Sequence, residues 1–131
     1  MAFLRSLGLS AIALHDEQSE ERLKEVEKGE FTYLFASPEK MLSVERWRKL
    51  LSSDHYRKFL VAIVVDEAHC ISQWGLPGSL SSKHAAVPFR IWYGNLGELK
   101  SLTSSDVPSI ILTATASVST KRNIFKALNL K

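Results

Sequence analysis

The sequence predicts an α/β domain built around a mainly parallel sheet. Short apolar strand candidates alternate with helix candidates along the chain, and parallel strands require such crossover connections. The run Leu-Val-Ala-Ile-Val-Val at residues 60–65 has no polar side chain, as expected of a strand covered on both faces. The 131 residues, 45% hydrophobic and 24% charged, suit one ordinary globular domain.

The first quarter of the chain shows strand and helix patterns in turn. It predicts a helix end, a strand, a charged surface helix and a second strand at residues 2–7, 10–14, 16–28 and 32–36. Gly8 and Gly29 stand where the two helices would end, because glycine tolerates the left-handed conformation of a helix C-terminus.

The tripeptide Ser37-Pro38-Glu39 predicts the start of a helix. Serine can cap the first turn, proline fits that turn, and glutamate favours the positive end of the helix dipole. We expect this helix to run to about Leu51, because its apolar residues share a broad face: Met41, Leu42, Val44, Trp47, Leu50 and Leu51.

The second half continues the alternation after a loop. Residues 76–88 contain Pro, Gly and Ser without a periodic pattern, which is typical of a loop. A helix over 93–102, a strand over 109–113 and a last helix capped by Ser117 or Ser119 follow.

Charge and cysteine content limit the possible classes of protein. The net charge is +3, with −2 in residues 1–70 and +5 in residues 71–131. A basic second half is compatible with nucleic acid, but solvated surface lysines explain it equally well. One cysteine excludes a disulfide framework and a Cys-rich zinc site, and no apolar run reaches the ~20 residues of a membrane helix.

Two adjacent carboxylates follow the apolar strand. Asp66 and Glu67 begin the sequence Asp-Glu-Ala-His that ends at His69. A carboxylate at the tip of a strand can hold Mg²⁺ through water, and the next one can orient and deprotonate an attacking water. A solvated turn explains the tetrapeptide alone equally well.

The surrounding sequence resembles the RecQ family of superfamily 2 DNA helicases. The segment Val64-Val-Asp-Glu-Ala-His-Cys-Ile-Ser-Gln-Trp-Gly75 is similar to the family's DEAH box and the residues after it. Tyr33-Leu-Phe-Ala-Ser-Pro-Glu39 and Leu112-Thr-Ala-Thr-Ala116, the latter similar to motif III, occur in the family's order. The resemblance covers nearly the whole chain. It implies a three-layer α/β/α RecA-like domain, the fold of P-loop NTPases, in a 3′-to-5′ helicase driven by ATP.

The resemblance also implies roles for individual residues. Asp66 would help to position the Mg²⁺ of Mg-ATP through water, Glu67 would be the catalytic base, and His69 would couple the ATP site to DNA. The motif III residues Thr113, Ala114 and Thr115 would link hydrolysis to movement on DNA. The family's partner is single-stranded or forked DNA, and its aromatic-rich loop senses the single strand. The residues implied in DNA contact are Ser37, Glu39, Gln73, Trp74, Phe89 and Arg90.

Two of these residues have simpler explanations. Ser37 is a good helix cap whether or not DNA binds. Trp74 could stack on a base, but without the resemblance it would be taken as a core or hinge residue. The family acts in recombination and repair, which places it in the nucleus of a eukaryote or the cytoplasm of a bacterium.

The chain departs from the family pattern in two places. No glycine begins the phosphate-binding sequence Gly-x-x-x-x-Gly-Lys-Ser/Thr. The resemblance implies that the second motor domain, with its arginine finger, would lie downstream of these residues. We therefore expect residues 1–131 to be a partial first motor domain that lacks the phosphate-loop strand and hydrolyses no ATP alone. The alternative is a non-enzymatic remnant that binds DNA or a protein partner.

The second departure is the stretch at residues 76–88, which replaces a His-Asp pair of the family. It is either a loop insertion or retained intron sequence, and both explanations remain open. In the family fold the phosphate-loop strand lies beside the motif III strand. Without it, residues 109–113 would form an exposed apolar sheet edge, which predicts poor solubility or partial unfolding.

Overall fold

The N-terminal strands form a parallel pair in the computed structural model, which describes residues 2–76 and 90–130. The elements α1, β1, α2 and β2 lie at Ala2–Ser6, Ala11–Ala13, Glu20–Glu27 and Tyr33–Phe35. Ile12 of β1 lies opposite Leu34 of β2, and α2 provides the crossover. Both predicted strands are therefore confirmed, although the regular part of each is three residues long.

Three short helices follow β2. They are α3, α4 and α5, at Pro38–Ser43, Glu45–Leu51 and Asp54–Phe59. The single helix expected from Ser37 to Leu51 is wrong, because Val44 has an extended backbone with φ −93° and ψ 115°. The apolar face continues across the break and so does not reveal it. The sequence also did not predict α5, whose N-cap Ser53 accepts a hydrogen bond of 3.4 Å from Tyr56 N.

The apolar strand forms a second parallel pair. The strands β3 and β4 span Ile63–Val65 and Ser109–Ile111. The prediction that both faces of β3 are buried is wrong, because Val64 and its opposite neighbour Ile110 are 56% and 46% exposed. Only the other face, which carries Val65, packs against the core. Among the described residues the strands form two separate parallel pairs instead of one sheet.

Four helices complete the described fold. They are α6, α7, α8 and α9, at His69–Trp74, Ile91–Gly94, Glu98–Leu102 and Val118–Ala127. The helix predicted over 93–102 is divided between α7 and α8. Ser117 caps α9 by accepting a hydrogen bond of 3.1 Å from Thr120 N. The expected insertion at 76–88 lies outside the described residues, apart from Leu76.

The apolar side chains pack in two clusters. The cluster around β1 contains Ile12, Leu14, Val26, Trp47 and Leu50. The larger cluster lies under β3 and contains Leu42, Leu51, Val65, Ala68, Ile71, Leu96, Leu99, Ile124, Ala127 and Leu128. Because Ala68 and Ile71 belong to it, the backbone that follows β3 is held firmly against the core. Of the helices described in 2–76 and 90–130, none has the length and apolarity to cross a membrane.

Candidate active site and nucleic-acid contact

The two adjacent carboxylates lie at the carboxyl end of β3, as the sequence predicted. Asp66 and Glu67 are both exposed to solvent. Asp66 Oδ1 accepts a hydrogen bond of 2.8 Å from Glu67 N, which orients the Asp66 side chain. Because Asp66 is exposed, its second carboxylate oxygen is accessible to a water-bound cation.

Glu67 adopts a left-handed backbone conformation with φ +49°. Such a conformation costs an L-residue about 1–2 kcal/mol, because Cβ crowds the following carbonyl oxygen. The turn is held on both sides: Glu67 O accepts from Cys70 N at 2.9 Å, and Ala68 is buried. The turn between β3 and α6 thus leaves the Glu67 carboxylate outside the core. The sequence carried no signal for this strain.

His69 begins α6 beside the Glu67 carboxylate. Its Nδ1 lies 3.3 Å from Glu67 Oε2, so the two would form an ion pair if the imidazole were protonated. The contact lacks hydrogen-bond geometry, and His69 Nδ1 is buried without a hydrogen-bond partner among the described residues. The next residue, Cys70, is buried as the sequence indicated, and burial, with the nearby charge of Glu67, raises the pKa of its thiol.

The tips of β3 and β4 are hydrogen-bonded to each other. Leu112 N donates to Val65 O at 2.9 Å, and Leu112 O accepts from Ala68 N at 2.9 Å. Thr113 Oγ1 then donates to the carbonyl of Thr115 at 2.9 Å, which closes a small turn. The structure therefore brings the carboxylate turn together with the motif III candidates, of which Ala114 and Thr115 are exposed and Thr113 is half-buried.

A second group of candidates meets at the end of α6. Arg90 N donates to Trp74 O at 3.0 Å, and the rings of Trp74 and Tyr93 meet edge to face at 5.7 Å. Gly75 and Gly94 make this contact possible, because a Cβ on Gly75 would lie 2.6 Å from Gly94 N. We call Trp74, Arg90 and Tyr93 the aromatic–arginine cluster. The sequence reasoning named Trp74 and Arg90 but did not assign Tyr93 to the site.

The start of α3 reaches the same cluster. Ser37 caps the helix, its hydroxyl accepting a hydrogen bond of 3.2 Å from Lys40 N. Two residues later, Glu39 Oε1 lies 3.9 Å from Arg90 Nε. Gln73 is half-buried on α6, next to Trp74. Phe89, the remaining DNA-contact candidate, lies outside the described residues.

The carboxylates of this site suit a cation that binds through water, and not one surrounded by protein ligands. The residues at 2–76 and 90–130 include no group of three or more His, Cys, Asp or Glu side chains placed to hold a metal. Mg²⁺ commonly takes one or two carboxylates and completes its shell with water and substrate phosphates. Asp66 could supply one such carboxylate if a nucleotide supplied the phosphates.

The fold and these sites define an α/β protein with paired carboxylates at the carboxyl end of a parallel strand. No protein-family model matches the chain. It is 36% identical to ATP-dependent DNA helicase RecQ of Haemophilus influenzae over 132 residues, covering 98% of this chain and 19% of that protein. ATP-dependent DNA helicase Q-like 2 of Arabidopsis thaliana is 34% identical over 133 residues, covering 97% and 17%.

A third relative agrees with these two. ATP-dependent DNA helicase Q-like 4B of Arabidopsis thaliana is 36% identical over 104 residues, covering 79% of this chain and 8% of that protein. The chain belongs to the RecQ family of DNA helicases. It spans less than a fifth of the length of each of these three relatives.

Proposed function

We propose that this chain is part of the first RecA-like motor domain of an ATP-dependent 3′-to-5′ DNA helicase. One observation carries the proposal: the carboxylate turn after β3 is hydrogen-bonded to the segment after β4, through Ala68 N and Leu112 O. In parallel α/β folds, ligands bind at this edge, where the strands end. The names of the relatives, all ATP-dependent DNA helicases, supply the substrate class.

Glu67 is the proposed catalytic base. Its carboxylate is exposed beyond the strand tip, where it can accept a proton from a water aimed at a terminal phosphate. Asp66, fixed by the hydrogen bond from Glu67 N, is the proposed ligand of Mg²⁺ through water. When bound, Mg²⁺ neutralises charge on the ATP phosphates.

His69 and Thr113 are proposed to transmit the state of this site. His69 Nδ1 already lies 3.3 Å from Glu67 Oε2, so a change in the position of Glu67 alters the surroundings of the imidazole. Thr113 follows Leu112, whose carbonyl is bonded to the carboxylate turn. Movement of either segment therefore displaces the other, as coupling between the ATP and DNA sites requires.

Hydrolysis by this chain alone is not part of the proposal. The sequence contains no Gly-x-x-x-x-Gly-Lys-Ser/Thr segment, so the backbone cradle for the ATP phosphates must come from elsewhere. Phosphoryl transfer also relies on a positive charge that neutralises the transition state. We propose that the isolated chain neither hydrolyses ATP nor unwinds DNA.

Contact with single-stranded DNA is assigned to the aromatic–arginine cluster. Aromatic rings stack on bases with little sequence preference, and arginine binds phosphate. Trp74, Tyr93 and Arg90 offer both within one small surface. The second candidate function, a non-enzymatic DNA-binding remnant, is favoured by this cluster, because its assembly requires no nucleotide.

Two assays on the 131-residue chain test the proposal. Anisotropy of a labelled oligothymidine should show salt-dependent binding, and phosphate release from ATP should stay at background with and without DNA. DNA-stimulated release abolished by Glu67→Gln would contradict the proposed inactivity. No binding of the oligonucleotide by wild type at low salt would contradict the DNA contact.

A further inference from the structure

Three side chains lie beside the guanidinium of Arg90. Its Cζ lies 5.2 Å from the centre of the Trp74 ring and 5.7 Å from that of Tyr93. Arg90 Nη1 donates a hydrogen bond of 3.4 Å to the Tyr93 hydroxyl, and Arg90 Nε lies 3.9 Å from Glu39 Oε1. A cation is thus held between two aromatic rings and one carboxylate.

Backbone contacts fix the main chain from which the Arg90 side chain extends. Arg90 N is bonded to Trp74 O, and Gly75 packs against Gly94 with no room for a Cβ. Glu39 comes from a different element, the first turn of α3. The ion pair between Glu39 and Arg90 therefore connects two parts of the fold that the Trp74–Tyr93 contact alone does not join.

We infer that the Glu39 carboxylate competes with nucleic-acid phosphate for Arg90. This inference rests on the proposed DNA contact and adds a mode of regulation to it. The pair is easily opened, since its single 3.9 Å contact is long and the two side chains are 44% and 35% exposed. A phosphate offers two oxygens to the planar guanidinium and makes the stronger, bidentate contact. DNA binding therefore exchanges one anion for another at Arg90.

The exchange of Glu39 for a phosphate at Arg90 changes how DNA affinity depends on salt concentration. A phosphate neutralised by Arg90 releases a counterion, but the Glu39 carboxylate set free takes up a cation from solution. The uptake partly offsets the release in wild type. When residue 39 is uncharged, only the release remains, and the slope of log K against log salt steepens by up to about 0.7 for a single strand.

The test compares two matched charge removals. Glu39→Gln removes the competitor, and Glu45→Gln removes an equal charge from the first turn of α4, where Glu45 pairs with Lys49. Binding of a fluorescein-labelled oligothymidine is measured by anisotropy over a range of salt concentrations. We expect Glu39→Gln to bind about two- to fivefold more tightly at low salt, as befits an exposed ion pair. Glu45→Gln should change neither the affinity nor the slope appreciably.

A double variant shows whether the effect acts through Arg90. In an Arg90→Gln background, Glu39→Gln should no longer tighten binding or steepen the slope. An equal gain in affinity in both backgrounds would mean that the Glu39 charge repels DNA without acting through Arg90, and would overturn the inference. Unchanged or weaker binding by Glu39→Gln would overturn it as well. If wild type itself does not bind, the proposed DNA contact fails and the competition fails with it, a result distinct from the other two. Circular dichroism of each variant checks that the fold is retained.

Discussion

Replacing Glu67 by glycine should stabilise the protein while removing its proposed catalytic group. Glu67 has φ +49°, a conformation that costs an L-residue about 1–2 kcal/mol and glycine almost nothing. Glycine also has more conformational freedom in the unfolded chain, which lowers the stability of the folded state by about 0.5–1 kcal/mol. The 3.3 Å contact with His69 lacks hydrogen-bond geometry and contributes little. The net effect of Glu67→Gly is therefore about 0.5–1 kcal/mol of added stability.

The assay is urea unfolding followed by tryptophan fluorescence, for which the buried Trp47 is a reporter. Glu67→Ala keeps the crowded Cβ and should show no such gain. Gly8→Ala is the reverse control, because Gly8 has φ +76° and nothing lies within 4 Å of an added Cβ. It should lose about 1 kcal/mol through backbone strain alone. Equal stability of the Glu67→Gly and Glu67→Ala variants would refute the assignment of strain to this turn.

Three further predictions concern the rest of the fold. The Tyr56 hydroxyl donates a hydrogen bond of 2.7 Å to Val26 O, and burial raises the pKa of Tyr56. The folding stability that this hydroxyl contributes is therefore complete below about pH 10, the ordinary pKa of tyrosine, and is lost as the pH rises through the higher folded-state pKa. The stability difference between wild type and Tyr56→Phe, about 1 kcal/mol at neutral pH, should thus shrink in alkaline titrations. Gly75→Ala should separate the Trp74 and Tyr93 rings and change tryptophan fluorescence, because its Cβ meets backbone at 2.6 Å; an unchanged spectrum would count against the close crossing. Ile110→Lys should reduce aggregation measured by light scattering, since Ile110 is exposed on β4; equal scattering would exclude this face as its cause.

Local sequence patterns predicted the elements whose ends are marked by a capping serine or by a glycine. Ser37 caps α3, and the glycines at 8 and 29 both have positive φ, as helix-ending positions require. The break at Val44 escaped prediction, because the residues on both sides keep the same apolar spacing. Helix α5 was missed because it is only six residues long and half of them are charged, although Ser53 caps it as Ser37 caps α3. At Val44 the tertiary packing determined the backbone more than local preference did.

The site was predictable in part. Strand order placed the Asp66 turn and the segment at Thr113 at one edge, and hydrogen bonds through Leu112 bear this out. The conformation of Glu67 was not predictable, since nothing in its neighbours demands φ +49°. The close approach of Gly75 and Gly94 was also missed, although two glycines flanking aromatic residues were a signal that could have been used.

The central claim is that Glu67 catalyses ATP hydrolysis once a phosphate-binding loop is supplied. The most direct measurement is DNA-stimulated ATPase activity of a chimera, in which residues 1–131 replace the matching segment of the Haemophilus influenzae helicase. We predict activity in the chimera, and a loss of at least about 100-fold in the Glu67→Gln chimera with ATP binding retained. Glu17→Gln, at an exposed position far along the sequence, serves as the control. A folded chimera that hydrolyses ATP equally well with and without the Glu67 carboxylate would contradict the claim.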